Sequence, residues 1–530
     1  MKKIFILLTV AIFVLNSIAI AQIPTQASMK FARVIDLINT FYLDTVNTDK
    51  LTEHAIIEML KKLDPHSVYI SKEEVKEMNE PLEGNFEGIG VQFNIMDDTI
   101  LVVNTIPGGP SEKLGIRTGD RIIKIDDDTV AGVGIKNNDV FKRLRGSKGT
   151  QVKITILRRD VAELIDFNII RDKIPIFSLD ASYMINKETG YIKLNRFSAT
   201  TMTEFREASQ KLKAEGAKNL ILDLSGNGGG YLNASVELAD EFLDEKKIIV
   251  FTKGINSPRN DYRSSSNGMW KSGRVVLIVD EQSASASEIV SGAIQDWDRG
   301  IIVGRKTFGK GLVQKPYNLQ DGSMIRLTVA QYFTPSGRLI QRPYDKGFKD
   351  YSEDIIKRYN SGELIHEDSI HFPDSLKATT MVAKRTVYGG GGIMPDFFVP
   401  LDTNYYPELY RNIRQKGIIN KQVVGYYEKN VNDLKMKYSS FSSFKSNFVV
   451  PTSFTDSIFS VARKENIEFN DEEKEKTRQH LNILIKAILA EDLWSKSESY
   501  EVINPTRPDY KKAVEVISDK NKYNNKLTKP

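Results

Sequence analysis

The hydrophobic pattern changes period several times along this chain, and each change marks a different kind of element. From about residue 28 to 80 apolar residues fall at helical spacing. Phe31, Val34, Ile35, Leu37, Ile38 and Tyr42 make one face, and Ile56, Ile57, Met59, Leu60 and Leu63 make another. Asp64-Pro65 is expected to end the second helix, because proline lacks an amide donor and restricts the residue before it. The period then shortens. Runs at Gly90 to Ile95, Ile100 to Asn104 and Arg121 to Ile125 are β-rich and punctuated by Gly, Pro and Asp-Asp. VFKRLRG reads as a short helix, and QVKITILRR alternates as a half-buried strand. Short strands with two small helices in so few residues describe a compact binding module.

From about 174 to 400 the apolar runs become continuous: Tyr191 to Leu194, Asn219 to Leu224, Val275 to Val279 and Ile301 to Val303. They alternate with amphipathic segments such as FREASQKLKAEG and SASEIVSGAIQDW. That alternation predicts βαβ units around a largely parallel sheet. A polar insertion at about 345–380 precedes the glycine run Gly389 to Gly392. The last stretch, from about 401, is mostly helical with charged faces, and its Lys/Asn-rich end has the composition of a disordered tail. No internal repeat is visible.

Length adds that 530 residues exceed one compact core, so two to four domains are expected. A formal charge of +5 over that length gives no argument for nucleic acid. The opening MKKIFILLTVAIFVLNSIAIAQ has two lysines, an apolar run from Ile4 to Leu15 and the small-x-small site Ala19-Ile20-Ala21. This is the layout of a secretory signal peptide cut after Ala21. A membrane anchor is the alternative, but the run falls short of the roughly 20 residues a span needs. The mature chain is therefore expected to be exported, soluble or membrane-peripheral, and periplasmic where the cell has an outer membrane. No transmembrane anchor is expected after cleavage.

The chain has no cysteine, which excludes disulfides, thiolate metal sites and a cysteine nucleophile. Its five histidines (His54, His66, His366, His371 and His480) form no HExxH or i,i+4 pair, so neither a metal nor another cofactor is expected.

The candidate chemistry lies in DEQSASASEIVSGAIQDW. A buried strand enters a polar turn and then a helix, with serines at 283, 285 and 287; Val290, Ala293, Ile294 and Trp297 mark the helix's inward face. Ser285-Ala-Ser-Glu288 fits an S-x-x-E capping box, in which Ser285 only satisfies backbone donors. It equally fits a nucleophile at a helix start, where free N–H groups can receive an oxyanion. A serine needs a base, and no histidine lies nearby. GRKTFGKGLVQ, Gly304 to Gln314, nearly matches a phosphate-binding loop, but Gly311 stands where a Ser or Thr must hold magnesium. Lys310, among glycines and apolar residues, suits a desolvated amine that can lose its proton. Gln314, four positions on, can bond that amine without adding charge. A solvated loop lysine is the plain alternative. SSFK, Ser442 to Lys445, lacks the companion motifs of penicillin-recognising enzymes.

Two resemblances settle these choices as expectations. Gly88-Ile89-Gly90-Val91 followed by SEKLGIRTGDRIIKID resembles a PDZ domain. On that likeness the glycines let backbone N–H groups converge on a terminal carboxylate, rather than serving only a tight turn. The string SASASEIVSGAIQDWDRGIIVGRKTFGKGLVQ resembles the catalytic segment of the carboxyl-terminal processing peptidases, or tail-specific proteases. The resemblance implies Ser285 as nucleophile, Lys310 as general base and Gln314 as its orienting partner. DLSGNGGGYLNAS resembles the family's D-L-R-x-N-P-G-G-x-L element and implies the amides of Gly230 and Ala286 as the oxyanion hole. Ser225 and Gly228 replace the family's arginine and proline, which leaves the pose of that loop open. YFTPSGRLIQ, GGIMPD and LDPHSVYIS also match.

The implied fold is a multidomain α/β chain. It has a signal peptide at 1–21, an N-terminal helical region at 22–85, an α+β PDZ domain at 86–173, a crotonase- and Clp-like α/β peptidase core at 174–400, and a C-terminal helical region at 401–530. The implied activity is exported endoproteolysis of proteins with apolar C-termini, through an acyl-enzyme. The rivals are a non-catalytic PDZ scaffold, or a Ser/Lys amidase or esterase. Arg145 follows the PDZ helix where the family commonly has a basic residue. It fits an activation link, or a plain charge at a helix C-terminus. A homodimer and an adaptor or activator protein are the partners suggested by relatives.

Overall fold

The structure, a computed structural model, describes residues 25–159, 161–403 and 405–528. The expected signal peptide lies outside them. No helix among the described residues is long and apolar enough to cross a membrane.

Residues up to Tyr69 form one unit. It holds α1 (Gln26–Phe41) and α2 (Thr48–Lys61), capped by the side chains of Thr25 and Asn47. The apolar face of α1 forms as the spacing predicts, but Phe31, Val34 and Leu37 stay exposed. α2 stops before Asp64-Pro65. The Asp64 carboxylate instead organises the following turn, accepting from the N–H groups of His66 (2.8 Å) and Ser67 (2.9 Å).

The second unit runs from Ile70 to the end. It opens with α3 (Lys72–Glu83) and β1 (Asn85–Gly88). A small module follows: β2 (Val91–Met96), β3 (Thr99–Thr105), α4 (Pro110–Lys113), β4 (Arg121–Ile125), β5 (Asp128–Thr129), α5 (Asn137–Leu144), β6 (Gln151–Leu157) and β7 (Ile165–Ile170). Its sheet runs β2-β3-β4-β6-β7, with β5 paired to β4, so β2 is an edge strand. The strand expected from Gly90 begins at Val91, because Gly90 has φ +78°, outside the extended region. β8 (Asp172–Pro175) pairs with β1 and returns the chain to the core.

The core contains β9 (Leu179–Asn186), β10 (Thr189–Leu194), α6 (Thr201–Ala214), β11 (Asn219–Asp223), α7 (Leu232–Asp240), β12 (Ile248–Gly254), β13 (Ser257–Arg263), β14 (Val275–Val279), α8 (Ala286–Asp296), β15 (Ile301–Gly304), β16 (Leu312–Asn318) and β17 (Met324–Phe333). α9 (Phe348–Ser352), α10 (Asp354–Asn360) and β18 (Lys377–Thr379) make up the insertion, and β19 (Thr386–Tyr388), paired with β18, and β20 (Phe397–Phe398) follow it. The central sheet orders β9-β10-β11-β14-β15-β20 and is parallel from β10 onward. The hairpin β16–β17 pairs through β17 with β12, and β12 with β13, all antiparallel.

Alternate residues of the parallel strands serve two cores, as period-two side chains must. Ile192, Leu220, Leu222, Leu277 and Ile302 pack against α6, α7 and α8. Tyr191, Ile221, Val276, Ile278 and Ile301 face the other way. α8 is buried on all sides, not on the one face the sequence suggests, because α7 and β12 cover the side turned from the sheet.

Beyond the core lie α11 (Glu408–Gln415), α12 (Ile418–Lys437), α13 (Phe441–Asn447), α14 (Thr452–Lys464), α15 (Asp471–Leu493), α16 (Lys496–Ile503), α17 (Pro508–Ser518) and α18 (Lys520–Leu527). α11 to α15 share a core of their own. The end of the chain corrects the expectation of a disordered tail. α17 and α18 lay Tyr510, Ala513, Val516, Ile517 and Tyr523 on the second face of the central sheet. The Tyr523 hydroxyl accepts from Val275 N (3.1 Å) and reaches the carbonyls of Val275 and Arg299. The lysines and asparagines that suggested disorder occupy the outward face. The few apolar residues between them close a sheet that would otherwise be half bare.

Candidate active site

Three neighbouring parallel strands deliver the candidate residues to one place. β11, β14 and β15 lie side by side, and the loops leaving their carboxyl ends carry Gly230, Ser285 and Lys310. Open α/β sheets bind ligands at such ends. Ser285, Ala286, Gly230, Lys310 and Gln314 all line one cleft of about 1140 Å³, walled on its apolar side by Met202, Tyr231, Ile289, Leu312 and Met324.

Ser285 is the N-cap of α8, with φ +54°. That conformation costs about 1–3 kcal/mol in a non-glycine residue and persists only where the surroundings impose it. Here the Ser285 N–H donates to Glu288 Oε2 (2.8 Å), and its carbonyl accepts from the Tyr332 hydroxyl (3.1 Å). The flanking serines are fully buried and used structurally. Ser283 Oγ donates to Leu224 O (2.8 Å) and Ser287 Oγ to Asn227 O (2.9 Å). Of the three, Ser285 is the one that lines the cleft.

Glu288, read from sequence as half of a capping box, does more than cap. Its Oε2 also accepts from Lys310 N (2.9 Å), while Oε1 accepts from Gly309 N (2.7 Å) and Thr307 Oγ1 (2.6 Å). Burial pushes its carboxyl up to about 6 against the pull of those hydrogen bonds. Tyr332, on β17, makes a second bridge, since its hydroxyl also meets Lys310 O. Burial raises that hydroxyl well above its ordinary range, so it remains a donor.

Lys310 Nζ donates to Gln314 Oε1 at 3.2 Å. The insertion supports this loop from behind: Arg358 donates to Lys306 O (2.6 Å) and Thr307 O (3.2 Å).

The glycine loop after β11 lies against Ser285. A Cβ on Gly229 would stand 2.9 Å from Ser285 Cβ, and one on Gly230 (φ +149°) only 1.9 Å from Phe197 O. No side chain fits at either position. The Gly229 N–H is taken by Asn227 Oδ1 (2.9 Å).

The base of this loop is a buried charge cluster. Lys193 Nζ donates to Asp223 Oδ1 (3.0 Å) and to Ser225, and Tyr191 donates to Asp223 Oδ2 (2.7 Å). Arg507, from the C-terminal region, donates to Asp223 Oδ2 (2.8 Å) and Ser225 Oγ (3.1 Å). Burial alone would raise Asp223, but Arg507 and Lys193 outweigh it and hold the carboxyl well below the usual range. A guanidinium from a distant segment thus stands against Ser225, the position where the family resemblance expects an arginine. The substitution at Ser225 was the only hint of it in the sequence.

In the small module, Gly88 ends β1 and Ile89 is buried, its carbonyl accepting from Ser111 N (3.1 Å) and Oγ (2.7 Å). Gly90 and Val91 lead into the edge strand β2. Arg145, just past α5, pairs with Glu80 Oε2 (2.7 Å) on α3 and lies 5.2 Å from the ring centre of Phe141. It therefore joins the module to the helix whose Asn79, Leu82 and Glu83 line the cleft.

Comparison with known proteins places these features. Residues 188–349 match peptidase family S41, 88–169 match a PDZ domain, 16–74 match the activating protease CtpB N-terminal domain, and 409–495 match a family of unknown function. A relative in Staphylococcus aureus (strain N315), described as a probable CtpA-like serine protease, is 35% identical over 67% of this chain and 70% of its own. Carboxy-terminal processing protease CtpA of Bacillus subtilis (strain 168) is 35% identical over 63% of this chain and 73% of its own. The match to the solved photosystem II D1 C-terminal processing protease covers 60% of this chain and 91% of that one, at 26% identity and a TM-score of 0.35.

Proposed function

This chain belongs to peptidase family S41, among the carboxy-terminal processing serine proteases, and on that premise we propose that Ser285 and Lys310 cut proteins captured by their C-terminal tails. The Lys310 amine, when neutral, takes the Ser285 Oγ proton as the oxygen attacks the scissile carbonyl. The N–H groups of Gly230 and Ala286 receive the oxyanion. The Lys310 ammonium then returns its proton to the leaving amine, and the acyl-enzyme is hydrolysed by water that Lys310 deprotonates. Gln314 holds the amine without adding a charge that would keep it protonated.

The PDZ domain supplies capture. Gly88, Ile89, Gly90 and Val91 bind the terminal carboxylate, and the tail adds as a strand to β2, apolar residues inward. Arg145 links that event to the cleft through Phe141 on one side and Glu80 on the other. The substrates are unfolded or tail-exposed proteins in an exported, periplasmic compartment. A second copy of the chain, or an activator meeting the N-terminal segment, is the further partner.

The observation that carries this reading is that a single buried carboxylate, Glu288, fastens the backbones of Ser285 and Lys310 at the wall of one cleft. The test compares the intact protein with Ser285→Ala and Lys310→Ala on an unfolded protein ending in apolar residues. Cleavage by the intact protein alone is expected. Equal cleavage by all three rejects the assignment.

A further inference from the structure

A second cavity, of about 940 Å³, runs along β2 and is closed on its other side by Phe141 of α5. Its far end is not made by the PDZ domain. Lys416 and Lys421, at the junction of α11 and α12, stand there beside Lys136. Two further contacts hold those helices against the domain. Glu428 of α12 lies 3.8 Å from both Arg121 and Arg159, and a Cβ on Gly119 would meet its Oε1 at 2.5 Å. Lys421 pairs with Asp97, in the turn after β2, at 2.6 Å.

We propose that the C-terminal helical bundle is a second wall of the tail-binding groove and selects substrates with an acidic residue four to six positions upstream of an apolar C-terminus. This rests on the tail-capture reading above. A strand advances about 3.4 Å per residue, and an added tail runs antiparallel to β2 with its carboxylate at the Val91 end. Its upstream residues then lie opposite Ile95, Met96 and Asp97, which line the cavity together with the three lysines. The acidic groups around them leave room for another carboxylate. Asp97 is exposed, and an exposed pair such as Lys421–Asp97 contributes little and exchanges readily. Asp139 Oδ2 accepts from the backbone N–H of Lys136, and the Lys416 amine donates to the Glu465 carbonyl oxygen with the Glu465 carboxylate 3.9 Å away. Lys136 Nζ enters no ion pair among the described residues.

The experiment uses the full chain carrying Ser285→Ala and labelled ten-residue peptides that differ only in Glu or Gln at the fifth position from an apolar end. Fluorescence anisotropy at low and high salt reads the affinities. The Glu peptide should bind about five- to tenfold tighter at low salt, with the advantage shrinking as salt screens it. In Lys136→Ser/Lys416→Ser/Lys421→Ser the two peptides should bind alike, and Lys416→Glu should favour a Lys-containing peptide over the Glu peptide. Equal binding of Glu and Gln peptides by the unmodified groove, with C-terminally amidated forms binding far more weakly, overturns the selectivity and leaves tail capture standing. Amidated and free forms binding alike would remove both.

Discussion

The backbone N–H groups of Ser285 and Lys310 donate to the same oxygen, Oε2 of Glu288, at 2.8 and 2.9 Å. The two loops therefore cannot drift apart without breaking a buried, charge-assisted bond. Glu288→Gln puts an amide where, in either orientation, two donors already point. It should lower kcat by about a hundredfold, as a small misplacement of reacting groups does, with KM changed far less. Steady-state kinetics on a tail-bearing substrate measures the split.

The same residue sets a pH signature. Its carboxyl is raised from 4.5 to about 6, so the folded state holds the proton more tightly than the unfolded chain. The associated stability is present in full below about pH 4.5 and is lost as pH rises through 6, a total of about 2 kcal/mol. Denaturant unfolding should show the gap between the natural protein and Glu288→Gln narrowing by that amount from pH 4.5 to 7.

Arg507 reaches the glycine loop from the far end of the chain. Removing one member of a buried charge cluster leaves its partner uncompensated and typically costs about 3–5 kcal/mol. Arg507→Ala should therefore lower the melting temperature and depress kcat together, and Arg507→Lys should recover part of both. Thermal melts alongside kinetics test this. A normal kcat in a destabilised Arg507→Ala protein would mean that the loop holds its pose without the guanidinium.

Two glycines of one loop should behave oppositely. Gly230→Ala drives a methyl group to 1.9 Å from Phe197 O and should abolish proteolysis. Gly226→Ala also sits at positive φ (+69°) but meets nothing within 4 Å, and should cost only about 1 kcal/mol while retaining activity. Activity assays and melts on the pair discriminate steric placement from general loop strain.

Asp492, at the end of α15, has an Oδ2 that is buried with no hydrogen-bond partner among the described residues. Burial, then the neighbouring Glu491, pushes its carboxyl up to about 7. The stability tied to its proton is complete below about pH 4 and is lost as pH rises through 7, up to about 4 kcal/mol. Asp492→Asn should melt several degrees higher than the natural protein at pH 8, with the difference vanishing near pH 4. Melting curves across that range decide it.

What the sequence disclosed, and what it hid, follows from the range of the forces. The strands β10, β11, β14 and β15 were legible because each is a short apolar run bounded by turn residues. Ser285, Lys310 and Gln314 were legible as candidates because their spacing is local and matches a known string, and all three line one cleft. The second role of Glu288 was hidden behind a capping motif, which accounts for one of its four hydrogen bonds and says nothing of the loop that supplies the other three. Tyr332 sits in YFTPSGRLIQ with nothing local to mark its hydroxyl as a bridge. The order of residues 508–527 could not be read from composition, because five apolar side chains on a polar segment suffice once a bare sheet face is waiting for them.

That late-arriving cover has a consequence for how the molecule comes into being. On a chain that emerges amino end first, β10 to β15 are complete long before Tyr510, Ile517 and Tyr523 exist to shield them, and Arg507 appears only a few residues earlier. Long-range closure of this kind is slow, because chain entropy must be surrendered before the contact rewards it. The glycine loop beside Ser285 consequently lacks the support of Arg507, and the sheet its second cover, until the last residues have been made. A peptidase built this way completes its own site only once its chain is nearly finished.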